Sequence, residues 1–210
     1  VANDIVDAFA AVPCFERNNP RVGMVGEILL KYHSGANNHA AEIIEAEGGE
    51  AVPTDITNFM LYSLYDKVFA SKVLSGSRIE GIKNNFFIWW VERLRNEVRS
   101  ALARHPVFGT MPHIRELAAM AKEIVDLGHQ TGEGWLLTAE MVDFIREGVP
   151  NILCMQPFAC LPNHCTGKGV IKELKRRYPL SNVAPVDYDP GASEVNQLNR
   201  IKLMMAVAHR

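Results

Sequence analysis

The strand–helix–strand pattern in the first quarter of the chain most constrains its fold. Residues 21–30 (RVGMVGEILL) predict a β-branched strand that breaks at Gly26-Glu27. Residues 37–47 predict a helix ended by two glycines, and residues 51–55 predict a second strand. Because two strands joined by one helix run parallel, the pattern predicts a βαβ unit and a parallel sheet.

Two later segments extend this sheet. Residues 151–155 and 183–187 predict the third and fourth strands, and residues 57–135 predict a mostly helical insert. We therefore predict an α/β fold: an open, doubly wound, mainly parallel sheet of flavodoxin-like or Rossmann-like type, with helices on both faces. The predicted organisation is an N-terminal helix and linker over residues 1–20, followed by a single α/β domain over residues 21–210. The longer helices are expected over residues 57–74, 77–104, 113–125, 136–147, 169–178 and 193–208.

Composition excludes several classes of function. The 210 residues carry a net charge of −2, which gives no basis for binding nucleic acid or an anionic membrane surface. No apolar run approaches the ~20 residues of a membrane helix, and no signal peptide is visible. Four cysteines are too few for a disulfide scaffold, so we expect a cytoplasmic protein with reduced thiols. The chain starts without Met inside a helical pattern, and we expect a fragment of a larger multidomain protein.

Three of the four cysteines lie in one strand-to-helix turn. Cys154, Cys160 and Cys165 fall within twelve residues, where an apolar strand gives way to Pro, Asn and Gly. Metal binding, a cluster, redox chemistry and plain burial are all compatible with this spacing. A zinc site made of Cys160, His164 and Cys165 would need a fourth ligand. Cys154 lies inside the strand and is expected to be a buried core residue rather than a ligand. Cys14 is expected to be a half-buried thiol.

Cys160 has the surroundings of a thiolate ligand. A helix N-terminus and Lys168 supply positive potential that favours the thiolate. Gly167 and Gly169 would allow the backbone to approach a cluster closely. Iron–sulfur clusters are held by thiolates, commonly four, or three with one open position. The residues therefore favour Cys160 as a metal or cluster ligand, with a plain thiol as the alternative, and they leave the role of Cys165 open.

The carboxyl ends of the predicted strands gather further candidates at one edge of the sheet, where open α/β sheets bind ligands. Glu27 ends the first strand and is either a general base or a helix cap. Glu133 lies in a glycine-bearing loop that is either a turn with a packed Trp or a substrate loop. Asp187 begins the run 187–191, which is either a solvated turn or a contact for a ligand amine or ribose. Gln156 follows the third strand.

Two glycine-bearing segments fail the requirements of a nucleotide loop. Residues 23–26 lack the G-x-G-x-x-G spacing. Residues 166–169 lack the upstream glycine and the Ser or Thr after the lysine that a phosphate loop requires. We therefore expect no ATP site in this chain.

The aromatic run at residues 86–90 (FFIWW) is the clearest surface feature. Its side chains surround the predicted helix, so they cannot all face one core. We expect a docking surface for a missing domain or a second subunit.

Three longer motifs resemble one known family. They are residues 130–141 (QTGEGWLLTAEM), 156–164 (QPFACLPNH) and 187–200 (DYDPGASEVNQLNR). Together they resemble the C-terminal part of the acyl-CoA dehydratase activase-related proteins, which are large anaerobe proteins similar to the 2-hydroxyacyl-CoA dehydratases. The resemblance covers roughly residues 20–208.

The resemblance implies an iron–sulfur cluster, 4Fe–4S or larger, held by three cysteines per subunit. Two of them come from more N-terminal domains, and the third follows a strand of the C-terminal domain, which is the position of Cys160. Cys14 does not sit in a recognisable version of the other two motifs, so the cluster is expected to be absent or incomplete in this chain. The residues expected around Cys160 are Gln156, His164 and Lys168, and the second candidate metal ligand is Cys165.

The implied activity is the ATP-activated radical dehydration of a 2-hydroxyacyl-CoA, a lyase reaction for which this chain alone would be inactive. The implied partners are upstream domains of the same protein, an ATP-dependent iron–sulfur activator and an acyl-CoA substrate. Gln197 and Arg200 match a Gln and an Arg on the last helix of the family; with Glu27, Glu133 and Asp187 they are the weaker catalytic candidates. One alternative is a reductase of small molecules that carries a double-cubane cluster. The other is a non-catalytic interaction or regulatory domain that kept the fold.

Overall fold

The chain forms two compact units, which the computed structural model describes over residues 1–14, 18–105, 107–109, 111–189, 191 and 193–210. The helical unit comprises Val1–Asn18 and Thr57–Glu116, and the sheet unit comprises Asn19–Ile56 and Leu117–Arg210. Most of the segment predicted as an insert therefore groups with the N-terminal helix, and its last part, residues 117–135, groups with the sheet. Outside the described residues lie 15–17 of the predicted linker, 106 and 110 between the helices predicted over residues 77–104 and 113–125, and 190 and 192 near the end of the fourth strand.

The sheet unit is built on four parallel strands in the order β2-β1-β3-β4. The strands are β1 (Arg21–Gly26), β2 (Glu50–Pro53), β3 (Asn151–Pro157) and β4 (Asn182–Tyr188). Along the central pairings, Val25 lies opposite Cys154 and Gln156 lies opposite Asp187. Separate apolar clusters cover the two faces of the sheet, so the predicted doubly wound parallel α/β architecture is confirmed.

The helices between the strands follow the predicted order. They are α1 (Ala2–Ala10), α2 (Ile28–Tyr32), α3 (Ala40–Ala46), α4 (Ile56–Val73), α5 (Arg78–Leu102), α6 (Ile114–Lys122), α7 (Gly134–Arg146), α8 (Leu161–Thr166), α9 (Ile171–Arg177) and α10 (Glu194–Ala208), with one 3-10 turn at Lys168–Val170. Within the described residues, no helix combines the length and the hydropathy that a membrane span requires.

The first strand ends at the break that the sequence predicted. It ends at Gly26, and α2 begins at Ile28, so residues 28–30 are helical where the pattern predicted a β-branched segment. Gly26 has a φ of +136°, and a Cβ there would overlap the carbonyl of Met155, so only glycine fits this turn. Glu27 then caps α2, because the Leu30 N–H donates to Glu27 Oε2 over 3.1 Å. The local capping bond therefore overrides the β-branched pattern.

The segment after β3 also differs from the prediction. The short helix α8 lies inside the thiol turn, where no separate helix was predicted. The helix predicted from residue 169 begins at Ile171, after the 3-10 turn. Pro162 near the start of α8 fits this assignment, because proline at the first turn of a helix removes only an N–H that has no partner in the helix.

The core of the sheet unit lies on both faces of β1 and β3. One face packs against α3 and α10 and includes Ile44, Leu153 and Ile201. The other packs against α7 and α9 and includes Met141 and Leu174. The two central strands are buried along most of their length, which is typical of parallel sheets and explains their continuous apolar sequence.

The helical unit is organised around α5, which is 25 residues long. Ser77 caps its start, and α1 packs along it. A buried carboxylate, Glu92, accepts hydrogen bonds from Arg95, Arg99 and the backbone N–H of Ile114. This carboxylate joins α5 to the start of α6 within the unit.

Candidate functional site

The carboxyl ends of β3 and β4 bring the two central polar residues together. Gln156 and Asp187 are opposite each other in the strand register, and Gln156 Nε2 donates to Asp187 Oδ1 over 2.6 Å. The Gln156 side chain is fully buried, and its Oε1 has no hydrogen-bond partner among the described residues. A buried acceptor of this kind requires a donor from water or from a ligand.

Asp187 also contacts two positively charged or titratable side chains from the thiol turn. Lys168 Nζ lies 3.3 Å from Asp187 Oδ2, and His164 Nε2 lies 3.7 Å from Asp187 Oδ1. Burial opposes ionisation of the carboxylate, but the hydrogen bonds from Gln156 and Lys168 outweigh it and lower the pKa of Asp187. The structure therefore brings together four of the predicted residues, with an ionised carboxylate at their centre.

Cys160 lies at the N-cap of α8 in a tight turn. Its N–H donates to the Pro157 carbonyl over 3.2 Å, and its own carbonyl accepts from the His164 N–H over 2.9 Å and from His164 Nδ1 over 2.8 Å. The preceding residue, Ala159, has a left-handed φ of +59°. Cys160 itself is partly exposed. The backbone is thus fixed on both sides of a thiol that remains accessible.

The other cysteines differ from Cys160 in exposure. Cys154 is fully buried as predicted, and burial raises its pKa to about 12, so it stays a neutral thiol. Cys165 is exposed, and Cys14 is also exposed rather than half-buried as predicted. Among the described residues, no three His, Cys, Asp or Glu side chains are grouped closely enough to hold a metal ion. The predicted Cys160/His164/Cys165 zinc set is therefore not assembled there.

A second polar network lies behind the turn after β1. Glu133, which is buried, accepts the N–H of Ile28 through Oε1 over 3.0 Å. Burial raises the pKa of this carboxyl, although the hydrogen bond from Ile28 partly offsets the effect. The fully buried Asn163 side chain makes two hydrogen bonds. Its amide nitrogen donates to Glu133 Oε2 over 2.5 Å, and its amide oxygen accepts from the Glu27 N–H over 3.1 Å. Glu133 and Glu27 are therefore linked to α8 through one amide.

A buried ion pair lies between α2 and α7, and it was not predicted from the sequence. Lys31 Nζ lies 2.9 and 3.0 Å from the two carboxylate oxygens of Glu140, and both side chains are almost completely buried. Burial disfavours the charged form of Lys31, but the Glu140 carboxylate together with the neighbouring Tyr32 and Glu133 outweighs it and raises the pKa of Lys31. Burial also raises the pKa of Glu140. The available sequence signal was Glu140 itself, because it lies inside the continuous apolar run of α7, where a carboxylate needs a buried partner.

The two candidates on α10 occupy a separate position. Gln197 is buried; its Nε2 donates to the Asp187 carbonyl over 3.2 Å, and its Oε1 accepts from Asn38 over 2.7 Å. The exposed Arg200 donates to the Pro185 carbonyl over 3.2 Å. They line a groove of about 530 Å³, formed by Val186, Asp187, Ser193, Asn196, Gln197, Asn199, Arg200 and Leu203. Both side chains therefore contact the backbone of β4 rather than the side chains around Cys160.

Comparison of the chain with protein-family models, with curated proteins and with solved structures found no match. The resemblance carried by the three motifs therefore stays a prediction, and function has to be argued from the site itself.

Proposed function

We propose that the sheet unit is the C-terminal cluster-binding domain of an iron–sulfur protein resembling the 2-hydroxyacyl-CoA dehydratases, with Cys160 as one thiolate ligand. The observation that carries the proposal is the position of Cys160: it is partly exposed, at the carboxyl end of β3, in a turn whose backbone is hydrogen-bonded on both sides. Ligands bind at this edge of open α/β sheets.

Among the described residues, Cys160 can supply one ligand of a cluster, but a complete set of ligands is not assembled. Cys154 is fully buried in the core and stays a neutral thiol. Within the described residues, no group of three metal-binding side chains is assembled. A cluster needs three or four thiolates. The proposal therefore requires that the other ligands come from outside these residues, for which the upstream domains of the same protein are the expected source.

The residues around Cys160 have defined roles in this proposal. Lys168 and His164 supply donors at the same edge of the sheet as Cys160, and Asp187 contacts both of them. The buried Gln156 leaves one acceptor without a partner at the same edge. A bound cluster would supply one-electron chemistry at low potential. An ATP-dependent activator, an acyl-CoA substrate and a reducing cytoplasmic compartment belong to the same proposal, and all four cysteines are free thiols, as that compartment requires.

The test is the cluster content of the protein as the cell makes it, purified without oxygen. We expect Cys160→Ser to lower iron and acid-labile sulfide per chain, because serine oxygen is a poor replacement for a thiolate. Cys14→Ser is the matched control, since this exposed cysteine lies in the helical unit, and it should leave both values unchanged. Equal iron and sulfide in Cys160→Ser and the parent protein would refute the ligand role. One equivalent of zinc that Cys165→Ser removes would instead support a zinc site.

A non-catalytic interaction domain is the second candidate function. It is favoured by the large exposed aromatic side chains of α5, among them Phe86 and Trp89, which are 57% and 56% exposed. An interaction domain of this kind would keep its partner binding in Cys160→Ser and would contain no iron or labile sulfide in the parent protein. The reductase alternative predicts iron and sulfide above four of each per cluster site, as expected for larger clusters.

A further inference from the structure

The helix α5 is apolar on the side opposite to its buried side. The side chains that face the helical unit are Ile88, Glu92 and Arg95, together with the small residue Gly81. The outward side carries exposed apolar residues at helical spacing, which we call the α5 face: Ile79, Ile82, Phe86, Phe87, Trp89, Trp90, Leu94 and Val98. Helices of soluble proteins normally place polar residues on their outward side. We therefore expect another protein surface to pack against the α5 face.

The area of the α5 face suits a protein interface. Its four aromatic side chains are between 48% and 57% exposed, and its aliphatic ones between 38% and 72%. Taking about 200 Å² for an aromatic side chain and about 150 Å² for an aliphatic one gives roughly 760 Å² of apolar surface. The largest apolar patch of a typical monomer is about 300–600 Å². A stable interface uses about 800 Å² per partner, so two copies of the α5 face supply nearly all of one.

We propose that a second copy of this chain covers the α5 face, with the two α5 helices antiparallel about a two-fold axis at Trp90. The proposal stands apart from the cluster-binding proposal, because α5 belongs to the helical unit and Cys160 to the sheet unit. A two-fold interface uses the same patch on both subunits, so the patch has to be complementary to itself.

The sequence of α5 meets that requirement in one register. With the axis at Trp90, residues equally far before and after it face each other across the dimer. Lys83 then faces Glu97, and Phe87 faces Arg93, which gives an ion pair and a cation–π contact, each formed twice. The apolar pairs are Phe86 with Leu94 and Ile82 with Val98.

A register shifted along the helix loses this complementarity. A shift that brings residues 83 and 93 opposite each other would set the like charges of Lys83 and Arg93 against each other at both ends of the interface. Like charges placed directly opposite disfavour an interface and help to fix its register. The exposed charges Lys83, Arg93 and Glu97 lie within or beside the α5 face, and they favour the Trp90 register over the shifted one.

The test is sedimentation equilibrium of the whole 210-residue chain over a concentration series reaching about 100 μM, well above the Kd of a standard interface. We expect a dimer. Lys83→Glu and Glu97→Lys should each weaken dimerisation at least about tenfold, and the double variant should recover to within about threefold of the parent, because the swapped charges pair again. Lys172→Glu on α9 is the matched control and should change nothing.

Two results would overturn the proposal. A parent chain that stays monomeric over the whole range excludes a second copy as the cover of the α5 face. A double variant that dimerises as weakly as the single variants excludes the Trp90 register. The variant Trp90→Glu tests whether dimerisation can be lost without unfolding. We expect a monomer with unchanged far-UV circular dichroism, because Trp90 is 49% exposed and is not one of the buried core residues.

Discussion

The buried ion pair between Lys31 and Glu140 provides the sharpest test of the sheet unit. The two side chains are 1% and 3% exposed, and Lys31 Nζ lies within 3.0 Å of both carboxylate oxygens. Lys31→Met keeps the length of the side chain and removes its charge. The Glu140 carboxylate then stays buried without its cation, between α2 and α7.

The expected cost follows from this geometry. Removing one partner of a buried pair destabilises a protein by about 3–5 kcal/mol, because the remaining charge is uncompensated. Replacing both partners by apolar side chains is far less costly, since neither charge is then desolvated. We therefore expect Lys31→Met to lower the free energy of unfolding of the sheet unit by about 3–5 kcal/mol, and Lys31→Met with Glu140→Leu to recover at least about 2 kcal/mol of that loss.

The assay is native-state hydrogen exchange of the β1 and β3 amides, because it reports the sheet unit separately from the helical unit. Lys168→Met is the matched control: its lysine is 42% exposed and pairs with Asp187, so the loss should stay below about 1 kcal/mol. Because the pKa of Lys31 is raised above its ordinary 10.5, the contribution of its ammonium is present at neutral pH and is lost as the pH rises through that raised value. Burial also raises the pKa of Glu140, so the pair is lost on the acid side as well, when that carboxylate is protonated. A double variant less stable than Lys31→Met would refute the argument, since it would show that the pair is not coupled.

Three further predictions concern the same unit. Gly26→Ala should destabilise it by at least about 3 kcal/mol in a denaturant titration, because the added Cβ meets backbone at a positive φ, whereas Gly148→Ala, with φ +78° and open space around it, should cost only about 1–2 kcal/mol. Cys154 should resist iodoacetamide at about pH 8 while Cys160 reacts, as mass spectrometry of the native protein would show; labelling of both at equal rates would contradict the burial and the pKa of about 12. Asp187→Asn should remove part of the acid sensitivity of unfolding: because the folded pKa of Asp187 is lowered, its contribution is present above the ordinary value of 3.8 and is lost as the pH falls through the lowered one.

The sequence predicted the sheet because a strand buried in a parallel sheet leaves a continuous apolar run in the sequence. β1 and β3 are buried on both faces, so each shows as a continuous apolar run, and helices of amphipathic pattern separate the strands. The prediction was incomplete where a local bond or turn decides the backbone. The break at Gly26-Glu27 was predicted, but the capping bond from the Leu30 N–H to Glu27 makes residues 28–30 the start of α2, and the tight turn at Cys160 leads into α8, which was not predicted.

The candidate site could be predicted only in part for a related reason. The strand-end rule placed Gln156 and Asp187 together because strand register is a property of the sheet. Lys31, Glu140 and Asn163 were not predicted, because a charged or amide side chain is buried only when a partner from a distant segment meets it. Nothing in the sequence around Lys31 indicates that its partner lies 109 residues away.

One of these residues, Asn163, acts together with Thr138 to fix the helix that follows Cys160. Asn163 ties α8 to Glu133 at the start of α7, and Thr138 on α7 donates to the Thr166 carbonyl at the other end of α8 over 2.6 Å. Two buried anchors on one rigid helix fix a six-residue segment before any ligand arrives. A preorganised ligand loses little conformational freedom on binding, so a single thiol placed this way favours assembly with ligands from another segment more than a mobile thiol would. The anchors between α7 and α8, rather than the number of cysteines, therefore argue that this turn is built to present Cys160.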